Sequence, residues 1–239
     1  MTTATHSRPV YVAALTREIA GLVAERGWRA EPKLLGRKIH LFEHADAVVV
    51  CAGMGAARVT MAVEAALGVG PAAALISVGW AGACREGLAV GDVLHPTLVI
   101  DTRTGERYEA GGPSAVEAVS IVTVAAAAGA AEKRRLGASY GCAAVEMEAA
   151  HVARLARIHE LPFGAIKAIS DQVDYEMDGM ERFSTPDGQF REAAFGLYVA
   201  LRPAMWGPVM AMAKGSNLAA GRLQTAIKND IEEAKRSKL

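Results

Sequence analysis

Short apolar runs of strand length recur along the chain, and glycine flanks several of them. They cover residues 10–15, 47–51, 72–78, 93–100, 119–124, 143–145 and 163–169. The runs are nearly continuous in apolar residues and do not alternate with polar ones. This pattern is typical of strands that are buried on both faces of a mostly parallel sheet. Such a sheet needs helices to cover it, so the sequence favours an α/β fold.

Segments of helical length follow several of these runs. We predict helices over residues 16–26, with Thr16 as the N-cap, and over residues 56–67, 148–159, 188–201 and 217–235. The alternation of strands and helices predicts a three-layer α/β sandwich with a central mixed, mostly parallel sheet. We expect one α/β domain over residues 1–201. Residues 202–239 are expected to form a C-terminal helical extension that packs on the domain, on a second subunit or on a membrane surface.

Composition excludes several classes of partner. The 239 residues carry 26 basic and 26 acidic side chains, so no overall positive charge attracts nucleic acid. The three cysteines lie far apart and form no zinc or disulfide pattern, which favours a reducing cytoplasm. His40 and His44 have no carboxylate or cysteine motif beside them, so we expect neither a metal nor a cofactor.

Acidic side chains follow two neighbouring predicted strands. Glu146 and Glu148 lie where one strand turns into a helix, and Asp171 ends the next strand. Each acid alone has a structural explanation, because acidic residues stabilise a helix N-terminus and Asp171 could be an N-cap. However, the carboxyl ends of strands in an open α/β sheet share one crevice. Carboxylates placed there suit the binding of vicinal hydroxyls and the delivery of a proton to a leaving group.

Three glycine-bearing turns also follow predicted strands, at residues 53–55, 79–82 and 91–92. Glycine in such turns lets the backbone approach a ligand closely. The first turn resembles a dinucleotide fingerprint only in part, because the third glycine is missing and the turn does not follow the first strand. Nicotinamide binding is therefore disfavoured.

The order of these motifs resembles the nucleoside phosphorylase and nucleosidase superfamily. The resemblance depends on VGWAG at residues 78–82, VGD at 90–92, VEME at 145–148 and AISD at 168–171. Within the superfamily, the pattern is most similar to that of methylthioadenosine/S-adenosylhomocysteine nucleosidases. The short stretch between Gly91 and Glu146 and the Met/Trp/Pro-rich tail also resemble hopanoid-associated phosphorylase-like proteins.

The resemblance implies a catalytic role for three acidic residues. Glu18 would activate the attacking water, Glu148 would bind the ribose 2′- and 3′-hydroxyls, and Asp171 would protonate the purine N7. Met147 would pack beneath the sugar or base, and Ser170 would orient Asp171. The predicted substrate-binding residues are completed by four others, namely Glu146, Gly79, Trp80 and Phe163.

Two departures from the family pattern concern the choice between water and phosphate. Ser77 stands where phosphorylases of the superfamily carry an arginine, and Trp80 replaces the serine of the next turn. Both changes remove expected phosphate contacts, and a buried dianion needs a cationic partner. This favours water, although other arginines remain open as phosphate ligands, namely Arg17, Arg58, Arg85 and Arg103. Trp80 itself is expected to be either a lid over the sugar or a core residue.

The sequence thus predicts a nucleosidase, a glycosidase-type hydrolase that cleaves a purine, adenine-type nucleoside with water. The resemblance places such an enzyme in nucleoside catabolism and methionine salvage. We also expect a cytoplasmic protein that forms a homodimer or a higher homo-oligomer. Three alternatives stay open: phosphorolysis to base and ribose 1-phosphate, removal of adenine from an adenosylated hopanoid, and a non-catalytic nucleoside-binding protein. The base preference and the 5′-substituent also stay open, and an apolar 5′-substituent would fit contact of the tail with a membrane surface.

Overall fold

A computed structural model describes residues 7–32, 34, 38–111, 118–176 and 206–236 of the chain. The predicted helix over residues 188–201 lies outside these described residues. The strands are β1 (Arg8–Ala13), β2 (Arg29–Ala30), β3 (His40–Glu43), β4 (Val48–Cys51), β5 (Ala72–Ala83), β6 (Val93–Leu94), β7 (Leu98–Asp101), β8 (Arg107–Glu109), β9 (Ser120–Thr123), β10 (Ala144–Glu146) and β11 (Phe163–Asp171). The helices are α1 (Thr16–Val23), α2 (Ala56–Leu67), α3 (Ala130–Tyr140), α4 (Ala149–Ile158) and α5 (Trp206–Arg236).

Each predicted apolar run contains a strand, but one of them contains two. The run over residues 93–100 divides into β6 and β7 on either side of Pro96, which has no N–H to donate to a sheet. The predictions missed β2, β3 and β8, which are short, partly polar strands near the sheet edges. The prediction of Thr16 as an N-cap was wrong, because Leu15 has the extended N-cap backbone and Thr16 is the first helical residue.

All eleven strands join one mixed sheet. Its main path runs in the order β2-β3-β4-β1-β5-β10-β9-β7-β8, while β11 pairs with β5 and β6. The inner pairs β4–β1, β1–β5, β5–β11, β10–β9 and β9–β7 are parallel. Antiparallel pairs join β10 to β5 and add the outer strands β2, β3, β6 and β8.

Helices cover both faces of this sheet, as predicted for a three-layer α/β sandwich. On one face, α2 and α4 pack against β1, β4 and β5 through residues such as Val63 and Val152, both fully buried. On the other face, α1 and α5 pack through Ile19 and Leu223, and α3 packs through Leu136 farther along the sheet. The continuous apolar runs are explained by this double coverage.

The C-terminal helix α5 packs against the sheet. Ala219, Leu223 and Ile227 are buried among residues of α1, β5 and β11. None of the described helices is long and apolar enough to cross a membrane. The division into a domain ending at residue 201 and an extension stays a prediction.

Strand β5 changes partner along one of its edges. Its first half pairs with β1 as far as Ser77, and its end pairs with β10 from Gly82 onward. Its other edge pairs with β11 from Leu75 to Gly82. Within the described part of the chain, no strand occupies the first edge between Ser77 and Gly82. This opening lies where β1, β10 and β11 all end or begin, so it forms a crevice in the middle of the sheet.

A glycine in the interior of α3 lets this helix lie against the end of β5. A Cβ atom on Gly137 would come 2.3 Å from the carbonyl oxygen of Cys84. We therefore expect Gly137→Ala to lower the free energy of unfolding by about 1–3 kcal/mol through overpacking. The exposed Gly221 of α5 is the matched control, since its Cβ would meet nothing within 4 Å. Gly221→Ala should raise stability by about 0.5–1 kcal/mol, and equal effects in denaturant titrations would contradict the packing of α3.

Candidate active site

Glu18 lies in the opening of β5 with its carboxylate fully enclosed. The Glu18 side chain is on the first turn of α1, yet the residue is only 3% exposed. Its Oε2 accepts hydrogen bonds from the N–H groups of Ala14 at 3.1 Å and Leu15 at 2.8 Å, and its Oε1 accepts one from the N–H of Trp80 at 3.1 Å. The carboxylate thus links the end of β1 to the unpaired edge of β5.

Gly79 makes room for this carboxylate. Its φ of +150° is unusual for a residue with a side chain, and a Cβ there would lie 3.0 Å from Oε1 of Glu18. Gly79 therefore contributes to the site because its lack of a side chain leaves space for the Glu18 carboxylate.

Glu146 and Lys167 form a buried ion pair beside Glu18. Oε2 of Glu146 lies 2.9 Å from Nζ of Lys167, and both side chains are 1% exposed. Lys167 also donates to Oγ of Ser77 at 2.9 Å, which accounts for the serine at the position where an arginine was expected. Burial alone would raise the pKa of Glu146, but Lys167, Thr123 and the Glu148 N–H hold it below its usual range.

The same carboxylate holds the first turn of α4. Its oxygens accept hydrogen bonds from the N–H of Glu148 at 3.0 Å and of Ala149 at 2.9 Å. Thr123 donates its hydroxyl to Glu146 at 2.5 Å and accepts from the N–H of Ala150 at 3.0 Å. Glu146 is therefore a supporting residue, with both of its oxygens bound within the protein.

Glu148 is the N-cap of α4 and lies across the crevice from the turn before α2. Its Oε1 accepts a hydrogen bond from the N–H of Gly55 at 3.1 Å, and φ at this glycine is +84°. Burial first, and then the charges of Glu146 and Glu18, raise the pKa of Glu148 to about 8 against the lowering effects of Lys167 and the Gly55 N–H. The turn that resembled a dinucleotide fingerprint thus supports a carboxyl group here.

Glu18 and Glu148 share this electrostatic environment. Burial raises the pKa of Glu18, and the hydrogen bonds from Leu15 and Trp80 offset only part of that increase. Lys167 is the buried cation whose charge acts on both groups, and it is already paired with Glu146. Among the described residues, the centre of the crevice therefore holds more carboxyl groups than cations. A positive charge that develops beside these carboxyl groups would favour their ionised forms and be stabilised by them.

Asp171 ends β11 on the other side of the crevice. Its Oδ1 accepts a hydrogen bond from the hydroxyl of Ser170 at 2.7 Å. Its Oδ2 forms an ion pair with Nζ of Lys133, a residue of α3 that is 1% exposed. Gly82 lies directly beside this pair, since a Cβ there would be 2.8 Å from Oδ2.

The structure brings most of the predicted site residues to this crevice. Met147 is half-buried between Glu146 and Glu148. Trp80 contributes its backbone N–H to Glu18, while its ring packs with the cluster beneath α1 and α5, and Arg17 lies 4.8 Å from the ring centroid. Trp80 was expected to be either a lid over the sugar or a core residue, and this packing favours the core residue. Its indole Nε1 is buried with no hydrogen-bond partner among the described residues.

Phe163 is the predicted residue that the structure does not bring to the crevice. It begins β11, pairs with Leu75 and packs in the core, whereas Asp171 ends the same strand. Eight residues of strand separate the two by roughly 26 Å at about 3.3 Å per residue. The structure therefore places Phe163 in the core, away from the crevice, and its contact with substrate stays a prediction.

The sequence analysis missed Lys167, Lys133 and Thr123. Lys167 carried a signal, because a lysine inside an otherwise apolar strand needs a buried partner. Lys133 carried none, since it lies in a run of charged residues that resembles an exposed helix face. Thr123 carried none either, because threonine is common in strands.

A family model described as the phosphorylase superfamily matches residues 10–129 and 110–195 of the chain. The chain therefore belongs to the phosphorylase superfamily. No curated protein sequence is significantly similar to it.

Solved structures similar to this one include several nucleosidases. The Neisseria meningitidis 5′-methylthioadenosine/S-adenosylhomocysteine nucleosidase in complex with methylthio-immucillin-A is 22% identical, with a TM-score of 0.65 over 93% of this chain and 97% of that chain. The Arabidopsis thaliana 5′-methylthioadenosine nucleosidase in apo form is 18% identical, with a TM-score of 0.69 over 94% and 96%. A Helicobacter pylori MTAN mutant with 5′-methylthioadenosine in its active site is 15% identical, with a TM-score of 0.67 over 95% and 99%. At these identities the similarity shows the shared fold.

The raised pKa of Glu148 predicts a pH-dependent stability. The folded protein keeps this proton up to a pH of about 8, whereas the unfolded chain releases it near the ordinary value of 4.5. Between these values the unfolded state binds fewer protons, so Glu148 makes the free energy of unfolding fall as pH rises. Glu148→Gln cannot titrate. We expect the wild type to lose stability relative to this variant between pH 5 and pH 8 in denaturant titrations.

Glu64→Gln is the control for this measurement, because Glu64 is an exposed acid on α2. The free energy of unfolding of Glu64→Gln should change with pH in the same way as that of the wild type. A constant difference between wild type and Glu148→Gln across the range would contradict the burial of an uncompensated carboxyl group.

Proposed function

We propose that this protein cleaves the N-glycosidic bond of a purine nucleoside with water and releases the free base. The observation that supports this proposal is the group of three buried carboxyls, Glu18, Glu146 and Glu148, which surrounds the crevice with Lys167 as the paired buried cation. Burying carboxyl groups together is costly unless they meet a complementary charge. A sugar that becomes cationic in the transition state provides that charge.

Cleavage of an N-glycosidic bond passes through an oxocarbenium-like transition state, as in other glycoside hydrolysis. The sugar gains positive charge, and the bonding electrons move into the base. Carboxylates near the sugar stabilise the first change, and an acid near the base assists the second. Glu18 and Glu148 suit the sugar side, and Asp171 suits the base side.

In this proposal Glu18 takes the proton from the attacking water. Burial raises its pKa above the ordinary value, which makes its carboxylate a stronger base than an exposed one. Glu148 binds the ribose 2′- and 3′-hydroxyls, whose O–H groups donate to its oxygens. Asp171 in its protonated form passes the proton to N7 of the purine, and the carboxylate that remains pairs with Lys133 while Ser170 holds its Oδ1.

Water is preferred over phosphate because of the charge in the crevice. A phosphate dianion would enter a site with more carboxyl groups than cations, and Lys167 and Ser77 are already bound to each other. Phosphorolysis is the second candidate, and Arg17 is the observation in its favour. Its charge acts on Glu18, and its guanidinium lies over the Trp80 ring.

We further propose an adenine-type base with a substituent at the 5′ position. Two of the solved proteins with this fold hold 5′-methylthioadenosine or methylthio-immucillin-A. This assignment agrees with the motif pattern of the sequence and with a role in nucleoside catabolism and methionine salvage. We also propose that the protein is a cytoplasmic homodimer or higher homo-oligomer. An adenosylated hopanoid is the alternative substrate for the same site.

The choice of acceptor is tested by assaying base release with and without inorganic phosphate. The panel contains adenosine, inosine, methylthioadenosine, S-adenosylhomocysteine and a 5′-alkyl adenosine. We expect release of adenine from a 5′-substituted adenosine at the same rate in both conditions, with free sugar as the product. Ribose 1-phosphate formed only with phosphate would instead establish phosphorolysis, and tight binding without turnover would establish a binding protein.

The role of Glu18 is tested by Glu18→Gln, which preserves the size of the side chain and removes the base. We expect kcat to fall by about 10²–10⁴-fold, with a much smaller change in KM. Glu25→Gln is the matched control, because Glu25 is an exposed acid that contacts Lys228 on the surface. Equal activity of Glu18→Gln and Glu25→Gln would exclude Glu18 as the base.

A further inference from the structure

Lys133 is a buried lysine of α3 whose ammonium group contacts the segment that ends β11 and follows it. Its ammonium forms the ion pair with Oδ2 of Asp171. It also donates to the backbone carbonyl oxygens of Gln172 at 2.8 Å and Tyr175 at 3.1 Å. Two of its N–H groups thus bind backbone carbonyls, and its charge lies against Oδ2 of Asp171, which accepts no hydrogen bond among the described residues. The side chain is therefore held in one position.

A second contact ties the same segment to α3. Oε2 of Glu176 accepts a hydrogen bond from the N–H of Ala130 at 3.3 Å, at the N-terminus of the helix. A carboxylate is favourable at this end of a helix dipole. Residues 171–176 are thus attached to α3 at its first residue and again at Lys133, one turn farther along.

Two glycines allow the ion pair to form where it does. Gly82 of β5 leaves space for it, because a Cβ there would be 2.8 Å from Oδ2 of Asp171 and 3.0 Å from Cε of Lys133. Gly137 lets α3 approach β5 closely enough for Lys133 to reach the strand end. A buried ion pair contributes little net stability compared with apolar residues of the same size. The arrangement therefore fixes the position of Asp171 more than it stabilises the fold.

We propose that Lys133 is a positioning residue that acts through Asp171 on the departure of the base. Lys133 holds Oδ2 while Ser170 holds Oδ1, so the plane of the carboxyl group is fixed. This role rests on the proposed function, because Asp171 must assist a leaving group for its orientation to affect the rate. Among the described residues, the ion pair and the hydrogen bonds of the Lys133 ammonium all lie at residues 171–175, so its effect should be confined to the base.

The test compares two leaving groups on the same sugar. A purine needs a proton at N7 to leave, whereas 4-nitrophenolate is a stable anion that leaves without one. The substrates are the preferred purine nucleoside and the 4-nitrophenyl β-ribofuranoside with the same 5′-substituent. We expect Lys133→Met to lower kcat for the purine nucleoside by about 10²-fold or more, within the range for loss of a general acid. The nitrophenyl riboside should change less than about threefold.

Arg134→Met is the matched control, since Arg134 is the exposed neighbour on the same helix. It should leave both rates unchanged. Equal losses for the two substrates in Lys133→Met would overturn the proposal, because damage to the whole site lowers both rates. If the wild type cleaves neither substrate, the proposed function itself fails, and this outcome is distinct from a failure of Lys133 alone.

Two further variants keep the test decisive if Lys133→Met does not fold. Lys133→Arg retains the charge but changes the length and geometry of the donor group. Gly82→Ala retains both charged groups and pushes them apart. Both variants should lower the purine rate selectively, by a smaller factor than Lys133→Met. Purine cleavage at the wild-type rate in both would overturn the proposal.

Discussion

The unpaired edge of β5 between Ser77 and Gly82 is the constraint on which the site depends. A buried N–H without a partner costs about 1–3 kcal/mol, so the break between β1 and β10 needs a substitute acceptor. Glu18 provides one by bonding to the N–H of Trp80. The gap in the sheet therefore explains why a carboxylate is buried here, because the carboxylate accepts the hydrogen bond that a neighbouring strand would have accepted. Gly79 is necessary to both, because a side chain there would meet Oε1 of Glu18.

The strand alternation and most of the site could be predicted from the sequence, and the reasons differ by element. The apolar runs identified β1, β4, β5, β9, β10 and β11 because both faces of these strands are covered. The acids Glu148 and Asp171 were predicted because each ends or follows such a strand. The outer strands β2, β3 and β8 were missed since their residues are partly exposed and carry no periodic pattern.

What could not be predicted are the contacts that join distant parts of the chain. Thirty-eight positions separate Lys133 from Asp171, as their numbers show (171 − 133 = 38), and only the packing of α3 brings them together. The position of Phe163 away from the crevice has a related reason. Its strand was identified correctly, but the first and last residues of a strand this long lie at opposite ends of the sheet. Membership of a strand therefore did not establish membership of the site.

The two buried lysines divide the crevice into halves of different charge. Lys167 pairs with Glu146, and no ion pair joins Glu18 or Glu148 to a cation among the described residues, so the half proposed for the sugar is acidic. Lys133 pairs with Asp171, so the base half is balanced. Breaking an N-glycosidic bond moves electrons from the sugar towards the base. In the proposed reaction, an acidic region at the sugar end of that bond and a compensated one at the base end stabilise this movement of charge.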